Sequence, residues 1–114
     1  MHGLPADFKA DFLCGRTLEM VCFTKYQVYL HFSNECLISV EGEISLDRSE
    51  RMRLPVALSN LYPLIDQKIK STSSTIAGTL ALVFDEGQTL LIYDSSEQFE
   101  SYAITEHGAV IVRV

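Results

Sequence analysis

Ile76 to Tyr93 reads IAGTLALVFDEGQTLLIY, and the fold is decided by how this stretch is read. Leu80, Leu82 and Phe84 recur at every second position, so an extended chain puts all three on one face. Asp85-Glu86-Gly87-Gln88 is polar and includes a glycine that takes the positive φ of a tight loop without steric cost. Thr89 to Tyr93 then returns with Leu90 and Ile92 on one face. The expectation is a strand over Ile76–Phe84, a short turn, and an antiparallel partner.

The same period recurs on either side. Tyr26 to Phe32 aligns Val28, Leu30 and Phe32, and Cys36 to Val40 aligns Cys36, Ile38 and Val40. Ser33-Asn34-Glu35 between them has the chemistry of a hairpin turn. Ser101 to Glu106 and Ala109 to Val114 read as two further strands joined at His107-Gly108, because VIVRV is too apolar and β-branched for a frayed end. Arg16 to Thr24 reads as a first strand. Gly42 to Leu54 reads as one or two more, with Asp47, Arg48, Glu50, Arg51 and Arg53 marking a solvated hairpin. Lys68 to Thr75 is either a loop or an edge strand, and Asp7 to Leu13 a short helix or an extended lead-in. One helix is expected, from Pro55, which suits a first turn, to about Tyr62, where Pro63 stops it. These elements predict a mainly β fold: an antiparallel β-sandwich or half-open barrel of about 7–8 short strands with one short helix. Leu30, Phe32, Ile38, Leu80, Leu82, Phe84, Leu90 and Ile92 are the expected core.

At 114 residues the chain makes a single domain, 1–114. Hydrophobic residues are 47% and charged residues 21%, a globular balance. No apolar run is long enough to span a membrane, and MHGLPADFKADFLCG lacks the layout of a secretory leader, so the expected location is cytoplasmic, without membrane association. The net charge of −6 argues against nucleic-acid binding, which depends on clustered Lys and Arg. Cys14, Cys22 and Cys36 form no C-x-x-C pair and read as unbridged thiols. No phosphate-cradling glycine motif is present, and His2, His31 and His107 stand apart, so no cofactor, metal or catalytic residue is expected. A glycosidase-like carboxylate pair would need a large cleft with stacking aromatics, and the chain has no Trp; it is not expected to be an enzyme.

Charge position is more informative than charge total. Between Asp85 and Glu106 lie Asp85, Glu86, Asp94, Glu97, Glu100 and Glu106, six of the 15 acidic residues and none of the nine Lys and Arg. Acids and bases balance elsewhere, so the whole net charge falls in this stretch. Tyr93, Phe99 and Tyr102 interleave it, and large aromatics ringed by polar groups act as interface anchors. Strand alternation places some of those three in the core. Asp85, Glu86, Asp94, Glu97, Glu100, Tyr102 and Glu106 are the candidate partner-binding residues, and the partner they suit is cationic.

Gly78 to Ile104, GTLALVFDEGQTLLIYDSSEQFESYAI, also resembles the carboxyl-terminal signature of a family of small bacterial β-proteins. There a strand ending in F-D-x-G turns into a second strand and then into an acidic-aromatic Y-E-S-Y or F-E-S-Y segment. Gly15 to Leu46, GRTLEMVCFTKYQVYLHFSNECLISVEGEISL, is similar to that family's opening hairpin. The family includes immunity proteins of contact-dependent growth inhibition and related polymorphic toxin systems. The resemblance implies a cytoplasmic inhibitor that binds a cognate basic toxin domain, commonly a nuclease, and blocks its active site. It transfers no contact residue, so the choice of site rests on charge position. The alternative expectation is a small-ligand-binding β-sandwich without catalytic activity.

Overall fold

The computed structural model describes residues 3–5, 8–47, 61–94 and 100–114. Nine strands lie among them: β1 (Leu18–Phe23), β2 (Val28–Phe32), β3 (Cys36–Val40), β4 (Ile44–Leu46), β5 (Ile69–Ser74), β6 (Leu80–Phe84), β7 (Thr89–Ile92), β8 (Tyr102–Glu106) and β9 (Ala109–Arg113). They form two antiparallel sheets, one ordered β1-β2-β3-β8-β9 and the other β4-β7-β6-β5. The chain is mainly β, with the packing of a sandwich rather than a closed barrel.

Alternation works as the sequence requires. In β2, β3 and β6 every second residue is buried, and the register keeps those residues in cross-strand rows: Leu30 opposite Ile38, and Ile38 opposite Ile104. In the second sheet Leu82 faces Leu90 and Leu80 faces Ile92. These rows meet between the sheets, and all eight residues expected in the core are at most 2% exposed.

Along one side the sheets are stitched together. Thr17 and Lys68 form an isolated antiparallel bridge, while the Gly15 N–H donates to the Ile69 carbonyl and the Ile69 N–H to the Arg16 carbonyl. This ties the start of β1 to the start of β5 and so joins the two sheets along that side.

Differences from the expected elements have local causes. Ile76 lies outside any strand and is 74% exposed, because Thr75 to Thr79 closes the β5–β6 turn through Gly78 N–H to Thr75 O and Thr75 N–H to Thr79 O. The Lys68–Thr75 segment is the edge-strand alternative, β5. Asp11–Leu13 is a single 3-10 turn. The helix expected from Pro55 falls on residues outside the described ones except at its end, where Tyr62–Leu64 is a 3-10 turn with Pro63 near its start. The charged hairpin after Asp47 also lies outside the described residues.

Two turn glycines make different demands. Gly87 has φ +97° with open space where a Cβ would stand, whereas Gly78 has φ +106° and a Cβ there would lie 2.5 Å from the Asp94 Cβ. We therefore predict that Gly87→Ala costs about 1 kcal/mol from backbone strain alone. Gly78→Ala should cost about 3 kcal/mol, because overpacking adds to the strain. Urea denaturation of both variants measures the difference, and equal losses would contradict this packing.

Candidate functional site

The candidate residues between Asp85 and Glu106 separate into distinct environments. Tyr102 is fully buried on the inner side of β8 opposite Val40, and its hydroxyl donates to the Gly78 carbonyl at 2.7 Å. Asp94 is also buried. Its Oδ2 accepts the Gly3 N–H at 2.7 Å, and its Oδ1 accepts the Ser101 hydroxyl at 3.3 Å. The Ser101 and Tyr102 N–H groups both donate to the Val114 carbonyl. The two residues thus hold a buried polar knot joining the β5–β6 turn to segments at both ends of the chain. As surface anchors they are corrected by their burial: the period-two face of β8 points Tyr102 inward. Burial pushes the Tyr102 phenol well above its ordinary range, and the Asp94 charge adds to the shift.

Two other candidates are neutralised within the chain. Glu106 pairs with the Arg16 guanidinium, whose side chain is only 12% exposed. That guanidinium also donates to the carbonyls of Phe12, Ser33 and Asn34 at 3.0, 2.9 and 3.2 Å. Arg16 thereby clamps the first 3-10 turn, the β2–β3 turn and β8 together. Glu100 pairs with Arg113 at 3.0 Å. Glu97 lies outside the described residues. Among the described residues, Asp85 and Glu86, in the β6–β7 turn, are the exposed carboxylates that remain of the original set.

The fold gives these two new neighbours. Gln67, 8% exposed, donates to the Pro63 carbonyl at 2.7 Å and to Glu86 Oε2 at 3.3 Å, and accepts the Glu86 N–H at 3.1 Å. The Asp85 N–H donates to the Lys68 carbonyl. One residue before Gln67, the Asp66 N–H donates to the Leu18 carbonyl at 2.7 Å, which sets exposed Asp66 beside exposed Glu19 of β1. On the other flank, Asp47 caps the start of β7: its N–H donates to the Thr89 carbonyl, and its Oδ1 accepts the Thr89 N–H at 2.9 Å.

Glu19, Asp47, Asp66, Asp85 and Glu86 are therefore carried along one end of the sandwich, all exposed, with Lys68 exposed among them. Clustered negative charge in general attracts cationic groups and raises the rate at which they are encountered. Charge counting along the chain finds Asp85 and Glu86. It misses Glu19, Asp47 and Asp66, which arrive through long-range backbone pairing.

Cys14, Cys22 and Cys36 are unbridged. Burial raises the Cys36 thiol, with the Arg16 charge opposing and the Glu106 charge reinforcing that shift. His107 Nδ1 meets Glu35 Oε2 at 2.9 Å on an exposed turn. Among the described residues no cluster of three His, Cys, Asp or Glu side chains is placed to hold a metal ion, and no helix is long and apolar enough to cross a membrane.

The chain belongs to a family of unknown function, DUF6188, which it matches over residues 11–114. No curated protein and no solved structure matches it.

Two predictions follow from the knot and the clamp. Because the folded-state pKa of Tyr102 is raised, the stability it contributes is complete below the unfolded value of about 10 and is lost as pH rises through the folded value. Tyr102→Phe should cost about 1 kcal/mol at neutral pH, from the lost hydrogen bond, and should flatten the alkaline decline in urea-unfolding free energy above about pH 10. A decline as steep as that of the parent chain would contradict this assignment. Arg16→Ala should cost about 2 kcal/mol, since it removes charge-assisted bonds and leaves Glu106 without its partner; a change under about 0.5 kcal/mol, typical of a bystander surface site, would contradict the clamp.

Proposed function

We propose that this protein is a non-catalytic inhibitor that captures a basic protein domain, with the acidic end formed by Glu19, Asp47, Asp66, Asp85 and Glu86 as the contact surface. The observation that carries the reading is their convergence. Exposed carboxylates from four separated segments meet at one end, while Glu100 and Glu106 are paired with the chain's own arginines. The interaction is held in backbone-fixed positions, as charge complementarity requires if it is to select a partner as well as attract one.

The resemblance to immunity proteins supplies the partner class. A nuclease toxin presents a cationic groove shaped for phosphates, and carboxylates held along a rigid edge imitate that charge. Binding takes place in the cytoplasm in this reading, where three unbridged thiols are the ordinary state of cysteine. Small-ligand carriage, by contrast, would need space between the sheets, whose inner faces are lined by Leu, Ile, Phe and Tyr side chains.

The test pairs the protein with the nuclease domain encoded immediately upstream of its gene. Co-expression should protect cells, and Glu19→Lys/Asp85→Lys should slow complex formation about tenfold or more at low salt while leaving the fold intact. Glu100→Lys lies toward the other end of the five-stranded sheet, where Tyr102 pairs with Val40, and should change the rate far less. A neighbourhood without such a toxin, or a double variant that protects and associates like the parent, would contradict the proposal.

A further inference from the structure

We infer that Met20, Cys22 and His31, on the outer face of the five-stranded sheet, form a binding site for a soft monovalent metal ion, Cu(I). An irregularity in β1 brings them together. Leu18 faces inward opposite Phe32 and is fully buried, so unbroken alternation would turn Met20 and Cys22 inward as well. The register shift between Leu18 and Met20 makes Glu19 an extra residue, and bulges of this kind re-aim the side chains that follow them. Val21 and Phe23 then pack on the core opposite Leu30 and Val28, while Met20 stands opposite His31 and Cys22 opposite Tyr29 on the outer side.

The spacing suits one ion. Directly opposed residues of an antiparallel pair, as Met20 and His31 are, hold their Cβ atoms about 5 Å apart, and diagonal ones such as Cys22 and His31 about 7 Å. Met20 and Cys22, two positions apart in one strand, are also separated by about 7 Å. An ion bound to the Cys22 sulfur at about 2.3 Å stands over that triangle, within reach of the flexible Met20 thioether and of a His31 ring nitrogen. Solvent reaches all three, since Met20 is 49% exposed and Cys22 and His31 are half-buried. The His31 ring lies 6.5 Å from the Tyr29 ring and is hydrogen-bonded to none of the described residues, which leaves a nitrogen lone pair for a metal bond.

The donor set selects the ion. A thiolate and a thioether are soft ligands, and with an imidazole they suit Cu(I); zinc sites are built from Cys, His and carboxylates and make no use of a Met sulfur. Neither of the cross-strand rows that start at Met20 and Cys22 holds a carboxylate as it crosses to β9, so the hard cations that require oxygen ligands find none there. On binding, the Cys22 thiol gives its proton to solvent, while Met20 and neutral His31 each contribute a lone pair. Copper stays Cu(I) and no electron moves. The other thiols stand apart: Cys36 is buried opposite Phe32 on the inner face, and the Cys14 sulfur lies 3.8 Å from the Thr72 hydroxyl beside β5. The site is independent of the acidic end and of the partner proposed for it.

The experiment titrates the intact chain with Cu(I), without oxygen, against a chromophoric Cu(I) chelator. One ion should bind per chain. Met20→Leu, which conserves volume at an exposed position, should weaken binding about tenfold or more with unchanged circular dichroism, and His31→Gln and Cys22→Ser should weaken it at least as much. Cys14→Ser should leave it unchanged. As an independent measurement, one equivalent of Ag(I), a redox-inert ion of the same class, should shift the NMR signals of the Met20 methyl group and the His31 ring together. Absence of binding would overturn the inference. So would binding that Met20→Leu leaves intact, or that Cys14→Ser abolishes and Cys22→Ser does not, since either assigns the ion to a thiol alone.

Discussion

Everything in this structure depends on one face of each sheet being closed against the other. A strand residue points either into that shared interior or away from it, and a shift of a single position would exchange the two sets. The rows Leu30–Ile38–Ile104 and Leu82–Leu90 fill the interior, and the turns adapt to keep them in register. Gly78 admits the Asp94 side chain where any Cβ would collide with it. His107 and Gly108 both take positive φ so that β8 can return directly as β9.

The same constraint sorts the acidic residues. Tyr102 enters the core because its strand position faces inward, and Asp94 is then needed to accept the N–H and O–H donors buried around it. Glu106 lies at the end of an inward row beside Cys36, where Arg16 compensates its charge. An acidic run in sequence is thereby divided into buried, paired and exposed members. The acidic end is assembled instead by residues 19, 47, 66, 85 and 86, which the hydrogen bonds of Gln67, Leu18 and Thr89 hold together.

Much of the fold was legible because alternation is local. The β2–β3 and β6–β7 hairpins follow directly from the spacing of their apolar residues, and His107-Gly108 marks the β8–β9 turn through its chemistry. Ile76 was misread as part of a strand because an apolar residue in a Ser/Thr-rich setting carries the same local signal whether the chain is extended or turning. The candidate site was legible only at Asp85 and Glu86. Asp66 is brought to Leu18, the residue before Glu19, beside the bridge from Thr17 to Lys68, and no periodicity within either segment announces that pairing. Membership of a family of unknown function leaves the functional reading to rest on this geometry and on the sequence resemblance.

The central claim is that the acidic end recruits a basic domain by electrostatic attraction from a fixed surface. Its most direct test is the association rate constant with the proposed basic toxin domain, measured by stopped flow from low to physiological salt and beyond. The account predicts a steep fall in the rate with rising ionic strength and a dissociation rate that changes little, because steering acts on encounter. An association rate that stays flat across that range would contradict it, and would assign recognition to contacts other than these carboxylates.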